Sequence, residues 1–204
     1  MKKILSLFGL LFIFGGAQAA MPAPDELVRA VTGEVLEIVR ADDAIRNGDP
    51  ARIAALVDEK VLPHFNFRRM TMLAVGRDWR QASPAQQDRL VEAFRTLLVR
   101  TYSNALTQYR DQTIAFRPLR AAATDTTVQV RTEVQQPGAQ PIGIDYMLER
   151  SDNGWKVFDV VVAGVSLVTN YRGTFAQEIR SGGIDGLIRS LEARNAELAS
   201  GAAS

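Results

Sequence analysis

The chain has no cysteine and a single histidine, His64, among 204 residues. Without thiolates and with one imidazole, the usual transition-metal ligand sets are out of reach, and no metal site is expected. Disulfides are excluded as well, so stability has to come from a packed core. An excess of one charge is also missing: 24 basic against 23 acidic residues give no field for holding nucleic acid. No run reaches the roughly 20 apolar residues that a membrane-spanning helix needs. There is no G-x-S-x-G elbow. His64 stands between Pro63 and Phe65 with no partner visible in the sequence, and reads as a surface or capping histidine rather than a hydrolase base. Repeats and low-complexity segments are absent.

What is present begins with a targeting signal. Lys2 and Lys3 precede an apolar stretch from Ile4 to Phe14, and Ala17-Gln18-Ala19 is a small-x-small cleavage site. Residues 1–19 are therefore expected to be removed on export. Without Lys2 and Lys3 the formal charge of +1 becomes −1. Residues 20–204 are expected to form a single domain, helical over 20–110, a sheet over 111–163, and helical again over 164–198.

Helix signals dominate the first half. Asp25 is placed to cap a helix with Leu27, Val31, Val35, Ile38 and Val39 on one stripe, ending at Asn47-Gly48. Asp49-Pro50 opens the next helix, which stops before Pro63. Asn66 caps a short one over 67–75, closed by Gly76. Ser83-Pro84-Ala85-Gln86 is a capping box with proline in the first turn, and predicts a long helix over 84–110. From Thr113 the period changes to two. Strands are predicted over 113–119, 126–135, 141–150 and 155–162, joined by turns at Pro137-Gly138 and Asp152-Asn153-Gly154, hence an antiparallel meander. A helix through Leu167, Val168, Tyr171 and Phe175 should end at Gly182-Gly183, and a last one carries Ile184, Leu187, Ile188, Leu191 and Leu198. The class is α+β, a curved antiparallel sheet wrapped by helices with an N-terminal helical part.

The stretch Gly154 to Arg172 organises the rest. Strict alternation groups Trp155, Val157, Asp159 and Val161 on one face and Lys156, Phe158, Val160 and Val162 on the other. Both faces are mostly apolar, so the strand is expected to be covered on two sides. The sheet carries an excess of apolar residues, Val128, Val130, Ile142, Ile144, Val160, Val162, Val165 and Leu167, which should face Leu98, Tyr102 and Leu106. Pattern alone leaves two readings, a filled core or a cavity for an apolar ligand. A third concerns Asp145 and Asp159, each in an otherwise apolar strand. Either one could act as a buried general base beside a tyrosine donor such as Tyr102, Tyr109 or Tyr146, or could pair with Arg131, Arg150 or Arg172.

Several segments resemble the MlaC family, periplasmic phospholipid carriers also called toluene-tolerance proteins. They are VLPHFNFRRM from Val61, AVGRDWRQASPAQQ from Ala74, FRTLLVRTYSNAL from Phe94, IDYMLERSDNGWKVFDVVVAGVSLVTNYR from Ile144, and GIDGLI from Gly183. Asn66 stands where family members often carry Asp. The resemblance implies an NTF2-like cone and a periplasmic, monomeric carrier with no enzymatic activity. It implies no cofactor other than a phospholipid held as cargo. Such a carrier exchanges lipid with an outer-membrane lipoprotein–porin complex of the MlaA type and with the MlaD-type MCE-domain subunit of an inner-membrane ABC transporter, and so maintains outer-membrane asymmetry. Tyr102 and Val165 carry over as pocket lining. The facing argument adds Leu98, Leu106, Val130, Ile142, Ile144, Val160, Val162 and Leu167. Loading is expected to part the long helix from the Val165 region. The alternative is an NTF2-like enzyme that uses Asp145 or Asp159 as base on a small apolar substrate.

Overall fold

The structure is a computed structural model and describes residues 21–108 and 112–201. The expected signal sequence and Tyr109 lie outside those residues. Helix α1 (Pro24–Ala41) is capped at Ala23 rather than Asp25, because Pro24 takes the first helical position and Glu26 Oε2 accepts the Ala23 N–H at 3.2 Å. It stops earlier than expected. Asp42 turns extended and its carboxylate accepts from the N–H groups of Ala44 and Ile45, which starts the short helix α2 (Asp43–Arg46). Asp49 caps α3 (Pro50–Leu56) as read from the sequence. A wide turn over Val57–Val61 and a tight one over Leu62–His64 then carry the chain past Pro63.

Asn66 caps α4 (Phe67–Val75) by accepting the Arg69 N–H at 3.0 Å, and Gly76 closes it at φ 70°, where a side chain would be strained. The capping box of Ser83 and Gln86 opens α5 (Pro84–Tyr102). This helix is shorter than the predicted 84–110. At its end the Ser103 hydroxyl donates back to the Val99 carbonyl, and the chain tightens into a 3₁₀ segment over Ser103–Gln108.

Five strands follow in an antiparallel meander, β1 (Thr113–Phe116), β2 (Thr127–Gln135), β3 (Ile142–Ser151), β4 (Gly154–Val162) and β5 (Val165–Ser166). β1 ends short of Leu119 because Pro118 has no N–H for the ladder. β5 was not expected. It arises because Ala163 (φ 50°) and Gly164 (φ 83°) form a two-residue hairpin turn of left-handed residues. Ser166 caps α6 (Leu167–Ala199), which is two helical segments separated by a kink at Gly183, where the backbone is non-helical (φ 66°), at the break expected from the sequence. No helix among the described residues is long and apolar enough to cross a membrane.

One local irregularity decides which side chains share a face. Met147 pairs with Asp159 but Leu148 pairs with Val157, so Phe158 is an inserted bulge residue with no opposite number. The strict alternation read from the sequence is therefore wrong beyond Val157. Trp155, Val157, Val160 and Val162 share one face with Ile144, Tyr146 and Leu148, while Phe158, Asp159 and Val161 lie on the other. The first face packs on Val28 of α1, together with Val128 and Val130. The opposite face sends Phe158 and Met147 into the cluster built by α4, α5 and α6. A third cluster joins Val35 and Val39 of α1 to Ile45, Ile53 and Leu56.

Candidate functional site

Between α1 and the sheet lies a cavity of about 240 Å³. One wall is the α1 stripe, Leu27, Val28, Val31, Val35 and Leu36; the other brings Val61, Phe65, Leu106, Ile114 and Val157. Among the described lining residues only Thr32, His64 and Tyr146 have polar side chains, and of those only the imidazole and the phenol titrate. An apolar enclosure with a few polar groups is the ordinary character of a small-molecule site. Two larger depressions of about 580 and 490 Å³ are shallower in chemistry. The first lies among Met21 to Pro24 and Ala121 to Ala123, the second among Arg117, Arg120, Arg131, Glu133 and Asp145.

The wall that carries His64 is pinned to the open edge of β4. Phe65 bridges in parallel to Val157, the Asn66 N–H donates to the Val157 carbonyl at 2.8 Å, and Lys156 Nζ donates to the Pro63 carbonyl at 2.6 Å. Asn66 also donates from Nδ2 to Glu149 Oε1 at 2.7 Å, while Arg69 pairs with the same carboxylate and lies over the Phe158 ring at 3.8 Å. An aspartate at position 66 would still cap α4 but would set two carboxylates side by side. Burial, and then the nearby Lys156 ammonium, hold the His64 pKa below the ordinary imidazole value, with Glu34 acting against them. Burial raises that of Tyr146.

The residues expected to line a pocket fall in three places. Val130, Ile142, Ile144, Val160, Val162 and Val165 share the α1 face of the sheet through the observed register. Val130 is buried under α1, Ile144, Val160 and Val162 are half-buried, and Ile142 and Val165 stand 49% and 56% exposed at the far end of the strands. Leu106 lines the cavity. Leu98 does not face the sheet residues assigned to it: it is buried in the α4–α6 cluster with Phe94, Val168 and Phe175. Tyr102 is 40% exposed and lies beside Tyr171, whose hydroxyl is pushed up to about 12 by burial and by that neighbour. Leu167 is half-buried at the start of α6. Sequence reasoning read the α1 stripe only as the apolar face of a helix, and a stripe carries no signal of how closely its partner wall approaches.

Asp145 and Asp159 lie on the face opposite the cavity and opposite Tyr146. Neither pairs with an arginine among the described residues. Asp145 accepts from Gln129 Nε2 at 2.8 Å, and Asp159 accepts from the Ser166 hydroxyl at 2.6 Å and the Val168 N–H at 3.1 Å. Arg150 and Arg172 instead donate to the carbonyls of Ala123 and Leu73. Asp159 thus braces the first turn of α6. No group of three or more His, Cys, Asp or Glu side chains placed to hold a metal occurs among the described residues.

The sequence model of the MlaC protein family matches residues 29–193, a span that holds the whole sheet and every described cavity-lining residue from Val31 onward. The chain belongs to the MlaC family. Among characterised relatives it is 23% identical over 192 residues to the intermembrane phospholipid transport system binding protein MlaC of Haemophilus influenzae, covering 93% of this chain and 90% of that one. It is 26% identical over 180 residues to the toluene tolerance protein ttg2D of Pseudomonas putida, with 88% and 83% covered. Among solved structures, a phospholipid-binding protein from Ralstonia solanacearum, in complex with a phospholipid, superposes with a TM-score of 0.82 at 41% identity. That match spans 87% of this chain and 99% of the other.

Proposed function

We propose that this protein is an exported, periplasmic, non-enzymatic phospholipid carrier whose acyl tails lodge between α1 and the adjoining sheet face. The observation that carries the reading is the cavity itself. Its described lining is hydrocarbon apart from Thr32, His64 and Tyr146, and on the sheet face that carries Tyr146 the half-buried Ile144, Val160 and Val162 lead to the exposed Ile142 and Val165. Burying an acyl chain is worth about 0.8 kcal/mol per CH₂, so two long tails do not cross water unshielded at a useful rate. The head group stays outside, because an ionised phosphate without partners is costly to desolvate. Membership in the MlaC family and the phospholipid in the Ralstonia relative support the same reading. On that footing the carrier exchanges lipid with MlaA-type and MlaD-type complexes of the two membranes.

At about 240 Å³ the cavity is smaller than the roughly 300–1,000 Å³ of ordinary ligand pockets. A two-tailed lipid therefore requires one wall to move. The long helix α5 is locked in the helical cluster by Leu90, Phe94 and Leu97 and does not border the cavity. Helix α1 is the movable wall, swinging from the sheet while residues Val35 and Val39 keep it on α3.

Lipid mass spectrometry on denatured, freshly purified protein tests the reading. Stoichiometric phospholipid is expected; protein that stays empty after incubation with phospholipid vesicles would contradict it. The enzymatic alternative separates cleanly, because Asp145→Asn leaves lipid loading unchanged but would abolish a reaction that needed this base.

A further inference from the structure

Tyr146 lies on β3 between Ile144 and Leu148 on the α1 face, opposite Val130 and Val160, and lines the cavity together with Val157 and Ile114. Burial has raised its pKa, so the phenol is a neutral O–H donor. It makes no hydrogen bond among the described residues. Yet its hydroxyl is not among the sealed, unpaired side-chain atoms, where Asn195 Oδ1 is the example. The hydroxyl is therefore accessible rather than sealed, on a residue that lines the cavity. A phenylalanine would fill the same wall without a donor to satisfy, and an unpaired donor facing hydrocarbon is destabilising.

The donor has to be matched by the occupant. Acyl tails carry no acceptor. A phosphodiester carries ionised oxygens, but among the described residues no Lys or Arg lines the cavity to receive them. The neutral acceptors next to the tails of a phospholipid are its ester carbonyls. Resting on the carrier reading, we propose that Tyr146 donates its O–H to an ester carbonyl at the glycerol end of the bound lipid. It thereby favours ester-linked lipids and sets how deep the tails sit.

The test is competitive loading of diester and diether phosphatidylethanolamine of equal chain length, read by mass spectrometry on wild type and Tyr146→Phe. Wild type should favour the diester by about three- to tenfold, the effect of one net hydrogen bond. Tyr146→Phe should load both lipids equally, and without lipid it should melt no lower than wild type, since it removes an unpaired donor. Equal loading by wild type, or a preference that survives in Tyr146→Phe, overturns the assignment. If neither lipid loads, the carrier reading itself falls and the assignment falls with it.

Discussion

The two apolar regions on either side of the sheet use similar residues to opposite ends. In the α4–α6 cluster, Phe94 meets Tyr171 and Phe175 edge to face at ring separations of 5.0 Å, and Leu90 and Ile188 are fully buried around them. Interlocked rings leave no slack, and this side holds the fold together. Between α1 and the sheet both walls are rich in short valines, Val28, Val31 and Val35 against Val61 and Val157. Val28 packs with Val157 in one cluster, but short side chains do not fill the rest of the space between the walls, and a cavity of about 240 Å³ remains. The difference teaches that apolar composition sets burial, while side-chain reach decides whether the buried space is filled.

The largest expected effect breaks the tight side. Phe94→Ala should cost about 3–5 kcal/mol in urea unfolding, because its ring partners cannot collapse into the gap. The fraction that remains folded should carry its lipid normally. A smaller effect sharpens the contrast. Val31→Phe fills the cavity from α1, and stability should stay within about 1.5 kcal/mol of wild type while stoichiometric lipid is lost. Overpacking the tight side with Ala74→Phe, at a residue of zero exposure, should cost about 1–3 kcal/mol or more. Equal penalties at positions 31 and 74 would erase the distinction between the two regions.

The smallest effect concerns His64, the one histidine and hence a single imidazole signal in proton NMR. Its titration midpoint should lie below 6.5, and Lys156→Met should move it upward without restoring it fully, because burial is the larger cause. The unfolded chain binds this proton more tightly than the fold does. The stability linked to His64 is therefore complete above pH 6.5 and is lost as the pH falls from there through the folded midpoint. His64→Gln should flatten that part of the stability profile.

Much of this was legible in the sequence where a local rule decides the outcome. The box at Ser83 and Gln86, the cap at Asn66, the left-handed glycine at 76 and the turn pairs of the meander each act within four residues. The register beyond Val157 was not legible. Residues 157, 158, 160, 161 and 162 are all apolar, so inserting Phe158 changes no visible pattern while it reverses the alternation of every later residue. The site was half legible for the same kind of reason. The candidate sheet residues from Val130 to Val165 share one face in the observed register, but the wall facing them was sought on α5, where Leu98 sits in another cluster. The wall is α1, more than 70 residues away in sequence from β2, and spacing carries no signal for that pairing.

The two tryptophans sit one in each region, Trp79 in the helical cluster and Trp155 on the α1 face of the sheet. Loading with a phospholipid brominated along its tails, followed by fluorescence of Trp79→Phe and Trp155→Phe, asks directly where the tails go. Strong quenching in Trp79→Phe, which retains Trp155, with little in Trp155→Phe is the result predicted for tails between α1 and the sheet. Quenching confined to Trp79 would place the tails in the helical cluster and contradict the account.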